Sequence, residues 1–296
     1  MGEQPLVSVL MTVYNAAPWL REAVDSIVAQ TYEHWELVVI ENGSVDESPA
    51  ILASYADPRI RVVTVRENIG RTPALVRALE LARGELVAVL DADDVSAPTR
   101  FAKQVAYLAV NLQVSLVGTW TIRIDGAGRE IGRWSPPTDP VAVLDALGYA
   151  NPIVHSSAMY RAACARNVGG YPTSVPYAQD CALWVRLGAR APIGMIGEFL
   201  TRHRSIQGGL TQSADSRIAV ARDNLAMLQL AAELLPLSPA AARLNREETT
   251  IARLRYAVAL AVAGHRLRGG LMVLGTVARD PVGIAWNRVT RGSIGQ

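Results

Sequence analysis

Residues 84–94 read Gly-Glu-Leu-Val-Ala-Val-Leu-Asp-Ala-Asp-Asp. Glu85 to Leu90 carries a short, unbroken apolar run, as expected of a strand buried on both faces, and it leads straight into Asp91, Asp93 and Asp94. Carboxylates this close repel one another unless a cation sits among them. A hard divalent ion takes oxygen ligands, and Mg2+ typically takes one or two carboxylates plus substrate phosphates. The plainer alternative is an acidic turn capping the helix that Pro98 opens. The position directly after a buried strand favours the metal.

Upstream, the same alternation repeats. Leu6 to Thr12 is another buried strand, followed by Tyr14-Asn15 and by Pro18, where a first helical turn wants it. Leu20, Val24, Ile27 and Val28 then fall on one helical face. Glu36 to Ile40 and Ile60 to Val65 are strands, with the turn Asn42-Gly43-Ser44 and a short helix at Ser48 to Tyr55 between them. Thr72-Pro73 opens a helix with Leu75, Val76, Leu79 and Ala82 on its apolar side, and Gly84 is expected to close it. Such alternation predicts an α/β fold with a parallel, Rossmann-like sheet and right-handed crossovers. Ligands in such sheets sit beyond the carboxyl ends of the strands. Thr12 to Tyr14, Glu41-Asn42 and Asp91 to Asp94 all fall there, on one edge. Tyr14 could stack on a nucleobase or be a rim aromatic, and Asn42 could meet a base edge or build a turn.

Beyond residue 113 the pattern changes. Val114 to Ile124 reads as one or two strands before an Asp125-Gly126 turn, and Trp134 to Pro140 as a proline-rich loop. Asn151 to Arg161 is a loop entering a strand, Gly169-Gly170-Tyr171-Pro172 breaks the chain, and Asp180 to Leu187 is helical with Leu183, Trp184 and Leu187 inward. From about Asp215 the chain is helical and rich in alanine and leucine, and no repeat is present.

The 296 residues are half apolar and 19% charged, which fits a globular protein of one or two domains and argues against disorder. A formal charge of +2 does not make nucleic acid the expected partner. Lys103 is the one lysine; the abundance of arginine reflects base composition or a use in phosphate contacts. Cys164 and Cys181 read as buried thiols in a reducing compartment. The uncharged run near the end, Tyr256 to Gly264, is far short of the ~20 residues a spanning helix needs. With no secretory signal in view, the expected location is the cytoplasm.

Val7 to Asn15 (VSVLMTVYN), Glu36 to Asp46 (ELVVIENGSVD), Asn68-Ile69-Gly70 and Gly84 to Asp94, in this order and spacing, resemble the family 2 glycosyltransferases of GT-A fold, over roughly residues 5 to 205. The resemblance implies an inverting, metal-dependent enzyme that moves a sugar from a nucleoside diphosphate sugar to an acceptor hydroxyl. It implies that Tyr14 stacks on the base, with Thr12 and Asn42 beside it. Asp91, Ala92 and Asp93 form the Asp-x-Asp motif. Asp93 is then the principal ligand of Mg2+ or Mn2+, Asp91 lies by the ribose and metal, and His203 is a candidate third ligand. Asp180 is the implied base for the acceptor hydroxyl, with a helix N-cap as its other reading. His155 matches a histidine near the acceptor site. Arg71, Arg202 and Arg204 either reach the diphosphate or lie on a solvated surface. The implied layout is a catalytic domain at 1–213, divided into a nucleotide-sugar-binding half (1–112) and an acceptor-binding half (113–213), with a helical region at 214–296.

Three positions depart from the family pattern. Asn42 stands where an aspartate is usual, Gln179 where a glutamate is, and Ala74-Leu75-Val76 where Ala-Arg-Asn or Ala-Leu-Asn is common. UDP is therefore the first expectation for the donor and dTDP the next, with a guanine donor still open. The acceptor is a glycan, a glycolipid or a small secondary metabolite. In the tail, Arg253, Arg255, His265, Arg266, Arg268 and Arg279 interleave with Leu254, Val258, Leu260, Leu271, Leu274 and Val277. That pattern suits a peripheral membrane surface, a helical cap or a homodimer face. The competing functions are a nucleotide-sugar-binding scaffold without catalysis, which Asn42 and Gln179 would permit, and a sugar nucleotidyltransferase. The latter is disfavoured because no Gly-rich, basic loop follows the first strand.

Overall fold

The computed structural model describes residues 4–206, 216–263 and 271–272. Its first part alternates as expected: β1 (Val7–Val13), α1 (Ala17–Val28), β2 (Trp35–Asn42), α2 (Ser48–Ala53), β3 (Ile60–Val65), α3 (Arg71–Leu81), β4 (Leu86–Val89) and the two-residue β5 (Val95–Ser96). Then come α4 (Arg100–Val110), β6 (Leu116–Ile124), β7 (Glu130–Trp134) and α5 (Pro140–Leu147). A 3-10 turn at His155–Ser157 leads into β8 (Met159–Arg161), α6 (Ala162–Asn167), α7 (Gln179–Gly188) and β9 (Ile193–Arg204). Helices α8 (Arg217–Leu234) and α9 (Pro239–Val262) follow.

The strands form one mixed sheet in the order β3-β2-β1-β4-β8-β6-β9-β5, with β7 added beside β6. The half β3-β2-β1-β4 is parallel, because each crossover carries a helix back over the sheet. The second half departs from the purely parallel expectation. Strand β8 runs antiparallel to both β4 and β6, while β6 and β9 are parallel. The end of β9 then pairs antiparallel with β5, Val95 opposite Arg202. This long-range pairing carries His203 and Arg204 back to the Asp91–Asp94 loop.

Two apolar layers sandwich the sheet. Leu20, Ala23, Val24 and Ile27 of α1 pack with Phe101, Val105 and Leu108 of α4 on one side; Val28 lies outside that layer, 39% exposed. On the other side Leu75 and Leu79 of α3 meet Leu183, Trp184 and Leu187 of α7. Leu225, Leu228 and Ala231 of α8 and Ala252 of α9 join this second layer. On α9, Leu254 and Leu260 are buried and Arg255 is exposed, while Val258 is 49% exposed and Leu271, beyond α9, 70%, so the apolar residues of the tail are divided between the core and the surface. His265, Arg266, Arg268, Leu274, Val277 and Arg279 lie outside the described residues, as does the expected boundary at 213/214. Among the described residues no helix is long and apolar enough to cross a membrane.

Some local expectations change. Helix α3 ends at Leu81, before Gly84. Gly84 serves a close approach instead: a Cβ there would collide with the Leu6 carbonyl and lie 2.8 Å from the Ser8 nitrogen. The stretch expected to be a loop from Trp134 begins as the last residue of β7 and ends in α5, whose cap Asp139 accepts from the Ala142 N–H at 2.9 Å. Cys181 is buried and Cys164 partly so, and both are free thiols.

Candidate active site

The site begins where β4 ends. Asp91 is held from three directions: its N–H donates to Ser156 Oγ at 3.0 Å, Oδ2 accepts from Arg71 Nη2 at 2.7 Å, and Oδ1 lies 3.1 Å from His155 Nδ1. Burial alone would raise its carboxyl, but Arg71 and then His155 outweigh burial and keep Asp91 well below the usual carboxylate range. His155 Nε2 lies 3.1 Å from the Tyr171 hydroxyl, which accepts from the Tyr160 hydroxyl at 3.2 Å. Arg71 Nη2 also lies 3.1 Å from His155 Nδ1; with the ring proton on Nδ1, every other bond of the chain is satisfied. Tyr160 donates to Tyr171, Tyr171 donates to Nε2, and the Nδ1–H donates to Asp91. Both tyrosines and His155 are buried.

Asp93 and Asp94 share a loop but not an environment. Asp94 is fully buried; Oδ1 accepts from the Arg204 N–H at 2.7 Å and Oδ2 lies 3.1 Å from His203 Nδ1. Burial works to lower the His203 imidazole, yet Asp94 dominates and raises it to about 9. Asp93 is pushed up to about 7 by burial and by the charges of Asp94 and Asp91. Such a carboxylate calls for a cation. Among the described residues no cluster of three or more His, Cys, Asp or Glu side chains is assembled to hold one. Asp93 has the oxygen donors a hard divalent ion takes, whereas both oxygens of Asp91 are already engaged by Arg71 and His155. The structure does not assemble the expected set of Asp91, Asp93 and His203 as a three-ligand site, and ties His203 to Asp94 instead. Ala92, between the two aspartates in the motif, is buried.

Asp180 approaches from α7. Ala178 occupies the cap position, so Asp180 sits within the first helical turn rather than capping it. Its Oδ2 accepts from Asn151 Nδ2 at 3.0 Å. Gln179 beside it is buried. Arg71, the first residue of α3 after Gly70 (φ 90°), links the two sides. Burial lowers its guanidinium's affinity for the proton, but Asp91, Asp180 and Asp93 together raise it. Donor-side and α7 carboxylates thus act on one side chain.

Thr12, Tyr14 and Asn42 lie at or just beyond the ends of β1 and β2. Thr12 is half-buried and Tyr14 is 45% exposed. Asn15 takes φ 51°; its Oδ1 accepts from the Val45 N–H and its own N–H donates to Ser44 Oγ. Asn42 is buried, donating to Asn68 Oδ1 at 3.0 Å and accepting from the Ile69 N–H at 3.1 Å. Its amide stitches β2 to the turn before α3. The other two expected arginines bond to the protein itself, Arg204 buried and Arg202 half-buried. Arg202 donates to the Gly128 carbonyl, and Arg204 is buried, bonded to the Asp93, Asp125 and Gly126 carbonyls and to Glu22. Sequence reasoning did not single out the roles of Asn151, Ser156, Tyr160 and Tyr171. Their partners lie between 11 and 65 positions away, and only the fold brings them in.

A family model described as Glycosyl transferase family 2 matches residues 8–166. The putative glycosyltransferase EpsE of Bacillus subtilis (strain 168) is 31% identical over 191 residues, 63% of this chain and 68% of that protein. Among solved structures, S. aureus TarS 1-349 in complex with UDP aligns with a TM-score of 0.62 at 17% identity, covering 84% of this chain and 71% of that one. The mannosyltransferase PcManGT from Pyrobaculum calidifontis, in complex with GDP-Man and Mn2+, aligns with a TM-score of 0.65 at 23% identity, covering 97% and 84%. Both structural likenesses are likenesses of fold.

Proposed function

The chain belongs to glycosyl transferase family 2, and from that premise we propose that it moves a sugar from a nucleoside diphosphate donor to an acceptor hydroxyl, inverting the anomeric carbon. One observation carries the reading: Arg71 lies in the combined field of Asp91 and Asp93 from the β4 loop and Asp180 from α7. On this reading the β4 loop holds the donor and Asp180 faces it as the base.

Asp180 is the proposed base. Asn151 occupies its Oδ2, which leaves Oδ1 to accept the proton of the acceptor hydroxyl as that oxygen attacks the anomeric carbon. Tyr14, exposed at the end of β1, offers a face to the base, with Thr12 beside it. Asn42, committed to Asn68 and Ile69, shapes the rim on which the base rests. Arg71 and the charged His203 face the diphosphate side. Asp91 and Asp93 would hold Mg2+ or Mn2+, which when bound offsets the charge growing on the departing diphosphate. The structural neighbours TarS and PcManGT are complexes with UDP and with GDP-Man. For this chain UDP is our first choice and dTDP the second.

The test is a thermal-shift screen of UDP-, dTDP- and GDP-sugars with and without Mn2+. A ligand at 100 times its dissociation constant adds ~2.7 kcal/mol to the native state. A shift with one nucleotide that grows with Mn2+ is expected. No shift with any donor sinks the reading. For Asp180→Asn we expect transfer to fall about 100-fold or more, the usual worth of a general base, with the donor shift intact. Undiminished transfer would remove Asp180 as the base.

A further inference from the structure

Trp134 ends β7 with its side chain 42% exposed, although its indole N–H is committed to the Pro152 carbonyl at 3.1 Å. The bond uses the ring's one polar atom and orients it, so what the ring exposes is an apolar plane. Pro152 follows Asn151, whose Oδ1 accepts from the Ile153 N–H at 3.2 Å and whose Nδ2 donates to Asp180. One dipeptide therefore fixes both the candidate base and the ring.

The sheet register places this plane on the site's side. Trp134 pairs with Thr121, Gly132 with Arg123, and Arg123 with His203, so these side chains share one face. His203 is bonded there to Asp94. Gly132 lies two residues before Trp134 on that face, and a Cβ added to it would meet nothing within 4 Å. The ring is thus bordered by clear surface, with the half-buried Arg123 in the row beside it.

We propose that the acceptor is a saccharide, and that its pyranose ring stacks on Trp134 while its hydroxyl meets Asp180. This rests on the transferase reading above. A pyranose has a flat face of C–H groups carrying partial positive charge, which suits the negative face of an indole, and a rim of hydroxyls left for polar partners such as Arg123. A simple aliphatic alcohol has no such plane to match. A ring already held by Pro152 gives up little rotamer freedom on binding.

The experiment uses the full chain and the donor that gives the thermal shift. Acceptors are methyl glycosides, maltose, cellobiose and chitobiose, set against glycerol and octanol. We expect transfer to a saccharide, with Trp134→Ala raising its KM at least tenfold while kcat and the donor shift stay near wild type. Trp134→Phe, which keeps a flat ring but loses the bond to Pro152, should recover part of the affinity. A wild-type KM in Trp134→Ala, or transfer to the non-sugar alcohols alone, overturns the platform. In either case an intact donor shift leaves the transferase reading standing, whereas a wild-type chain with no donor shift sinks both.

Discussion

Asn151 commits both ends of its carboxamide, Oδ1 to the backbone of Ile153 and Nδ2 to Asp180. A carboxylate held on one oxygen presents the other in a fixed direction. Asn151→Ala should lower kcat about tenfold, the ~1.4 kcal/mol of one charge-assisted hydrogen bond, with donor KM unchanged. In an Asp180→Asn background the same change should cost nothing further, and an additional loss there would show that Asn151 acts elsewhere. His203 yields a pH prediction. Its imidazole is raised from its ordinary 6.5 to about 9 by Asp94. The stabilisation is thus full below pH 6.5 and is lost as pH rises through 9. With the side chain 40% exposed, screening reduces it to roughly 1 kcal/mol. The melting temperature should fall by about 2–4 °C across that window, and His203→Gln should flatten the decline. If the slope survives in that variant, another group titrates. Asp91, Asp93 and Asp94 stand out in the sequence as one acidic run, yet it takes the fold to separate them. Asp94 is buried under β9, Asp91 is paired with Arg71, and Asp93 is pushed up to about 7 by burial and by its two neighbours.

At the scale of elements, β2 and α3 meet through Gly43. It takes φ 77°, and a Cβ there would lie 2.8 Å from the Glu67 carbonyl carbon and 2.9 Å from the Asn68 nitrogen. Backbone cannot yield as a side chain does. Gly43→Ala should cost on the order of 3 kcal/mol and lower the melting temperature by roughly 6 °C or more. Gly126→Ala, with nothing within 4 Å, is the control and should change neither. Apart from the two-residue β5, the elements up to α4 were legible in the sequence, because β1, β2 and β4 are largely apolar buried runs and each helix opens near a proline or turn. The pairing of later strands was not, since β8 is three residues long and β9 finds β5 from far along the chain. Gly84 shows the same limit. A glycine shortly past a helix reads as a terminator, and only the fold reveals the Leu6 carbonyl pressed against it.

For the whole molecule, α8 and α9 are not an appendage on the described portion: Leu225, Leu228 and Ala231 sit in the same apolar layer as Leu75 and Trp184. The two halves of the sheet join through β8, where Val87 faces Tyr160 on one side and Leu116 faces the same Tyr160 on the other. The acidic loop leaves β4 early in the chain but is anchored by His203 and Arg204, 109 and 110 positions later. That separation bears on synthesis. A ribosome-bound chain that has emerged only through α7 holds β1 to β4 and their helices, but Asp94 has neither of its partners. Contacts this distant in sequence close late, after the loop-closure entropy has been met. Nascent chains arrested once Arg190 has emerged should gain protease resistance in the first sheet half yet show no donor-dependent protection. Chains arrested after α9 has emerged should show both, and donor protection in the shorter chains would mean that the loop orders itself without β9. If the shorter chains fail to bind donor, capture is deferred until the strand that holds Asp94 has been made, and an incomplete chain does not sequester nucleotide sugar.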